Sequence, residues 1–209
     1  MNESDAQLAG EYGADRPGLP RGRARLPVDV VRREQRRRLL RAVISAVAGK
    51  GYAHTTVGDV VARARVSRKA FYEHFRDLEH AFLSACAGAE RQVVKDLSGA
   101  AREGVTAEEM LRDGLRAYLR LVEREPEFTR CLLVELPPVA LEGRVAAHRR
   151  VGDLLRIWRD FAHPSRPPLP DALYLAAVGA IAELLTAHLG EPATALEEPA
   201  WEILRRLLA

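Results

Sequence analysis

From Pro27 to the C-terminus the apolar residues recur three and four positions apart, and no stretch shows the strict alternation of a half-buried strand. That periodicity restricts the chain to helices, and Gly, Pro and capping residues mark where each one begins and ends. After Pro27, Asp29 is expected to cap a helix with Leu39, Leu40, Val43, Ile44, Val47 and Ala48 on one face, stopped by Gly49 and Gly51. Thr56, with Asp59 three residues on, caps a short helix that turns Val57, Val60, Val61 and Ala64 inward and ends near Arg65. Ser67 caps a third, Arg68 to about His74, and Asp77 starts the next, a long amphipathic segment to about Leu97.

Further along, Thr106 and Glu109 form a capping box for a helix ending at Glu125-Pro126. A short segment from Phe128 to Leu136 is closed by Pro137-Pro138, and a helix from about Val139 to Phe161 is stopped by Pro164, Pro167 and Pro168. Asp171 to Leu189 is apolar almost all round its first half, so it must be covered on several sides, as the centre of a core or as part of a subunit interface. Thr194 and Glu197 box a last helix with Trp201, Leu204, Leu207 and Leu208 as one stripe. The expected fold is all-α, with residues 1–26 a disordered basic tail, 27–76 a helix-turn-helix domain and 77–209 a helical body, to which the family resemblance given below assigns ligand binding and dimerisation.

The formal net charge of +3 hides a segregation. Between Arg21 and Arg76 stand 15 Lys or Arg against 4 Asp or Glu, while the rest of the chain carries 17 basic and 25 acidic residues. One end is therefore suited to a polyanion, nucleic acid or an anionic membrane surface. The apolar face beside Arg32 to Arg41 lacks Trp and Phe, which favours protein packing over lipid. The longest apolar run, Ala172 to Ala182, falls short of the roughly 18 to 20 residues that cross a bilayer. Without an apolar leader segment, the expectation is a soluble cytoplasmic protein that does not engage membranes. Cys86 and Cys131 stand in no CxxC pair and are read as small packed hydrophobes. The six histidines are scattered, and no phosphate loop, nucleophile elbow or HExxH motif is present, so neither an enzyme nor a metal or cofactor site is expected.

Two short helices joined by a tight turn, the second rich in donors, form a helix-turn-helix. With Phe71 and Phe75 buried, the second offers Ser67, Arg68, Lys69, Tyr72 and His74. Arg68 or Lys69 is suited to guanine O6 and N7, Ala70 to a thymine methyl, and Tyr72 and His74 to phosphates.

The segments Gly51-Tyr52-Ala53-His54-Thr55-Thr56-Val57-Gly58-Asp59-Val60-Val61-Ala62 and Val66-Ser67-Arg68-Lys69-Ala70-Phe71-Tyr72-Glu73-His74-Phe75 resemble the TetR family of bacterial transcriptional regulators. The resemblance covers roughly residues 30 to 85. It implies a three-helix DNA-binding domain, a variable ligand-binding body and a homodimer formed by the last two helices, here about 171–189 and 195–208. By carry-over, Thr56, Ser67, Arg68, Lys69, Tyr72 and His74 become DNA-contacting candidates. The chain departs from the family twice. Arg65 occupies a turn position where glycine is usual, at a cost of about 1 to 2 kcal/mol if left-handed, so either the turn is distorted or Arg65 bears the strain while adding a phosphate contact. Leu78 replaces a customary lysine, for which Lys69, itself in place of a usual glycine, can compensate. Arg21, Arg23 and Arg25 are read as an arm for a neighbouring minor groove.

In the body, Tyr118, Phe128, Cys131, Glu135, Trp158, Phe161 and Tyr174 are candidates to line an apolar pocket for a small-molecule effector of unknown identity. The expected function is a DNA-binding repressor released by such a ligand. A ligand-independent regulator and a nucleoid-type binder without sequence preference are the alternatives.

Overall fold

The computed structural model describes residues 8–9, 27–98, 106–162 and 164–208. Its regular elements are all helical among the described residues. They are α1 (Val28–Lys50), a 3₁₀ turn (Tyr52–His54), α2 (Val57–Ala64), α3 (Arg68–His74), α4 (Leu78–Ser98) and α5 (Ala107–Arg124). Then come α6 (Pro126–Arg130), a π-helical turn (Cys131–Glu135), α7 (Leu136–Val139), α8 (Leu141–Ala162), α9 (Asp171–Ala187), a second 3₁₀ turn (Ala193–Leu196) and α10 (Glu197–Leu208). They divide between two compact units, residues 1–89 with 127–139, and residues 90–126 with 140–209.

In the first unit, Leu39, Val43, Ile44 and Val47 of α1 meet Val60 and Ala64 of α2 and Phe71 of α3 in a core whose members are at most 1% exposed. α1 begins two residues earlier than a cap at Asp29 implies. Pro27 precedes it, and Asp29 lies inside the first turn, bonded to Arg33 rather than to backbone N–H groups. α1 also runs through Gly49 and ends at Gly51, whose φ of 79° only glycine adopts freely. Of the expected tail, Leu8 and Ala9 are described, and Arg41 donates to the Ala9 carbonyl at 3.0 Å. Arg21, Arg23 and Arg25 lie outside the described residues.

Residues 127–139 join this unit through polar contacts spaced four residues apart. Glu127 accepts the Ser45 hydroxyl at 3.0 Å, Cys131 donates to the Ile44 carbonyl at 3.4 Å, and Glu135 accepts the Tyr52 N–H at 2.9 Å. Pro137 and Pro138 do not close the segment, because both fall within the one-turn helix α7. The helical run is unbroken from Pro126 to Val139, and the two prolines simply donate no N–H to the turn before them.

The second unit packs α5, α8, α9 and α10. Close approach of α5 and α8 depends on Gly114, where a Cβ would stand 2.2 Å from the Trp158 ring. The expected capping box at Thr194 is replaced. Its N–H and hydroxyl go to Glu123, while Glu197 takes Arg112 and Arg116, so residues 193–196 form a 3₁₀ turn ahead of α10. No helix among the described residues is long and apolar enough to cross a membrane.

Candidate nucleic-acid interface

Three local devices fix α3. Thr56 caps α2 reciprocally: its Oγ1 accepts the Asp59 N–H at 3.2 Å, and Asp59 Oδ2 accepts the Thr56 N–H at 2.9 Å. Lys50 adds an ion pair to Asp59 at 2.8 Å. Lys50 and the two Thr56 bonds together hold the Asp59 carboxyl far below the usual carboxylate range. Arg65 ends α2 with φ 51° and ψ 45°, in the left-handed region, the one such residue other than glycine among the described residues. Its N–H reaches the Ala62 carbonyl at 3.2 Å, and the Val66 N–H reaches Val61 at 3.1 Å, the paired bonds of a Schellman turn. Ser67 then caps α3, accepting the Ala70 N–H at 3.1 Å.

Arg68, Lys69 and Tyr72 of α3 stand exposed, as do Ser67, Arg65 and Thr56 beside it. Tyr72 is 55% exposed, its ring edge-on to Phe71. The Arg68 guanidinium lies against the first turn of α2, where a Cβ on Gly58 would stand 3.3 Å from it. Ala70 turns inward beside Phe71, is 6% exposed, and leaves a base little surface to touch. His74 is part-buried with its Nε2 unpartnered. Burial, followed by the charges of Arg32 and Arg36, lowers its pKa, so the imidazole is neutral near pH 7.

Sequence reasoning passes over Arg32 and Arg36 of α1 as members of this surface. Their signal lies in the spacing of acids along α1, from which the apolar periodicity draws attention away.

The effector candidates divide between the units. In the first, Phe128 is buried, and Cys131 and Glu135 spend their polar atoms on α1 and the Tyr52 turn; burial pushes the Cys131 thiol well up. In the second, Trp158 is buried against Gly114, Tyr174 is buried with its hydroxyl unpartnered, and burial pushes the Tyr118 hydroxyl up to about 12. Phe161 lies in the last turn of α8, and its side chain falls outside the described residues. A cleft of about 440 Å³ between α8 and α9 is lined by Tyr174 with Arg149, Asp153, Arg156 and Asp171. No group of His, Cys, Asp and Glu among the described residues is arranged to hold a metal ion.

The profile of the family described as "Bacterial regulatory proteins, tetR family" matches residues 39–83, from the buried half of α1 through the first turns of α4. Over residues 39–83 the chain carries a segment like that of the TetR family. An HTH-type transcriptional regulator of Bacillus subtilis (strain 168), YerO, described as uncharacterized, is 38% identical over 53 residues, which is 25% of this chain and 18% of that protein. Likeness to solved TetR-type structures extends over most of the length. The transcriptional regulator FadR from Bacillus subtilis, solved with stearoyl-CoA, superposes with a TM-score of 0.69 at 15% identity, covering 82% of this chain and 97% of that one. A TetR-family regulator from Pectobacterium atrosepticum gives 0.67 at 23% identity, covering 87% and 96%. At such identities the likeness establishes the all-α TetR fold.

Proposed function

We propose that this chain is a TetR-family transcriptional regulator that binds double-stranded DNA as a homodimer, with α3 in the major groove. The observation that carries the reading is the surface of α3: Ser67, Arg68, Lys69 and Tyr72 are exposed, and neither Arg68 nor Lys69 has an ion-pair partner among the described residues. Arg68 and Lys69 are assigned to base edges, and Thr56, Arg65, Tyr72 and His74 to phosphates. Ala70, buried, is left out of the contact set.

Dimerisation through α9 and α10 is supported by their part-exposed apolar residues, Leu173, Leu175, Val178 and Leu184 on α9 and Ile203 and Leu207 on α10. A twofold partner would supply the second recognition helix, about 34 Å away along the duplex. The domain division carries over from the sequence, with residues 27–76 reading DNA and the remainder sensing and dimerising.

We further propose that a small molecule bound in the body releases the DNA. Tyr118, Trp158 and Tyr174 of the second unit are the candidate contacts. Phe128, Cys131 and Glu135 act one step away, because they anchor residues 127–139 to α1. Ligand-induced movement of that segment would reach α1 through the Tyr52 and Ile44 contacts. The FadR neighbour was solved with stearoyl-CoA, which makes a long-chain acyl-CoA the first effector to try.

The test is protection of a DNA fragment from beside the protein's own gene, followed by addition of the acyl-CoA. Replacing Arg68 and Lys69 by alanine is expected to cost at least about tenfold in affinity at an unchanged melting temperature. Equal and equally selective binding by that variant rejects α3 as the reading element. Equal affinity for genomic and scrambled duplexes favours the nucleoid-type alternative, and protection indifferent to ligand favours a ligand-independent regulator.

A further inference from the structure

The first half of α1 carries five arginines, Arg32, Arg33, Arg36, Arg37 and Arg38, and its acids serve three of them. Asp29 holds Arg33 at 2.8 Å, and Glu34 holds Arg37 at 2.8 Å and Arg38 at 2.7 Å. Side chains on a helix meet at three- and four-residue spacing. No acid stands at either spacing from Arg36, and the one acid in reach of Arg32, Asp29, is taken by Arg33. Both arginines are exposed and make no ion pair among the described residues.

These two are also the ones that face the C-terminal end of α3. The Arg36 guanidinium carbon lies 5.4 Å from the centre of the Phe75 ring, and His74 flanks the same ring at 6.2 Å between centroids. His80 of α4 packs edge-on to Phe75 at 5.6 Å, and Glu73, exposed on α3, is the acid that acts on His74. His74 Nε2 has no partner. Two unmatched cations and an orphaned imidazole nitrogen thus sit together. Like charges held close repel, and an anion received between them removes the repulsion. The surface lies at the edge of the recognition helix, where Leu78 offers no charge in place of the lysine that the family resemblance implies.

We propose that Arg32, Arg36 and His74 form a clamp for a DNA backbone phosphate, with the two guanidinium groups as charged donors and the His74 ring nitrogen as a third ligand. This rests on the DNA-binding reading above and adds a second docking point, contributed by α1. A phosphate beside His74 favours the imidazolium, so binding takes up a proton and affinity rises as pH falls from about 8 to about 6.

The test uses the full-length protein and a labelled duplex of mixed sequence, because phosphate contacts are read without regard to sequence. Anisotropy titrations are run across a salt series and at both ends of that pH range. Arg32→Gln with Arg36→Gln is expected to weaken binding on the order of tenfold and to lower the slope of log affinity against log salt by about 0.9 for each phosphate contact removed. The lysine pair, Arg32→Lys with Arg36→Lys, should keep the slope. Arg33→Gln with Arg37→Gln, which removes arginines already paired with acids, should change affinity less than about twofold. His74→Gln should abolish the pH dependence. Wild-type affinity and slope in the Arg32/Arg36 glutamine variant, alongside loss of binding in the Arg68/Lys69 variant, overturns the clamp and leaves the α3 reading intact. A parent protein that does not bind duplex overturns both.

Discussion

In the first unit, Arg32, Arg36, Arg68 and Lys69 stand on the surface with no ion pair among the described residues, whereas in the second unit Arg112, Arg116, Arg150 and Arg159 close onto partners in the same unit. Arg112 and Arg116 take Glu197, Arg112 also reaches Glu198 and lies over the Trp201 ring, and Arg150 takes the buried Glu90. Arg159, 2% exposed, donates to the carbonyls of Leu208 and Pro167 at 3.1 and 3.3 Å. The same residue type therefore does two jobs, and the supply of nearby acceptors decides which. Where acceptors are close, arginine staples one helix to another; where they are withheld, it is kept for an anion from outside. Composition cannot separate these uses, because both raise the count of positive charges equally.

The comparison breaks most visibly at Arg159. Replacing it by methionine keeps most of the side-chain volume but strands two carbonyls without a donor. An unsatisfied buried polar group costs about 1 to 3 kcal/mol, so the variant is expected to lose about 3 kcal/mol of stability. Denaturant titration measures this. Duplex affinity of the remaining folded fraction should be unchanged, and a loss of DNA binding out of proportion to unfolding would erase the distinction between staple and surface cation.

A smaller effect is expected at Thr56, where capping and the proposed DNA contact coincide. Thr56→Ala removes the hydroxyl half of the capping box, leaves the backbone N–H bond to Asp59 in place, and should cost about 1 kcal/mol. The acid limb adds a second readout. Asp59 has a folded pKa below its unfolded value, so its contribution is present above the ordinary carboxylate range and is lost as pH falls through and below that range. The parent should therefore lose stability on acidification below about pH 4. Thr56→Ala should lose less, because the Thr56 hydroxyl bond that helps to depress Asp59 is gone. Identical acid limbs in the two proteins would show that Lys50 and the backbone N–H of residue 56 hold that carboxylate without the hydroxyl.

The first unit was readable because its signals are local. Thr56 with Asp59, Ser67 before α3 and Phe71 inward of it each act within four residues, and each element lies where these signals put it. The second unit was readable as helices and less so in its joints. Thr194 and Glu197 have the same form in sequence as Thr106 and Glu109, yet only the latter make a box. Distant partners, Glu123, Arg112 and Arg116, outbid the local bonds at Thr194, and no window of a few residues contains them. The π-helical turn at Cys131–Glu135, which belongs to the first unit, is not legible either, because five residues carry too little of any helical period to show it. Arg32 and Arg36 were legible in principle. The spacing of acids along α1 leaves Arg36 with no local partner and leaves Arg32 to share Asp29 with Arg33.

Arg65 gives the smallest expected change and the sharpest test of whether a surface cation in the first unit is kept for binding at the expense of the fold. A left-handed residue with a Cβ costs about 1 to 2 kcal/mol. Glycine in its place relieves that strain but gives the unfolded chain more freedom, worth about 0.5 to 1 kcal/mol in the opposite direction. Relief of strain outweighs the added freedom, so Arg65→Gly should be more stable by about 0.5 kcal/mol, visible as a small rise in melting temperature. The Schellman bonds of Arg65 and Val66 are made by backbone and survive the change. If the side chain holds a phosphate, duplex affinity falls in the same variant that gains stability, and the salt slope drops with it. A packing role would move both quantities downward together, so a variant that is less stable and binds more weakly would return Arg65 to the ordinary business of ending α2.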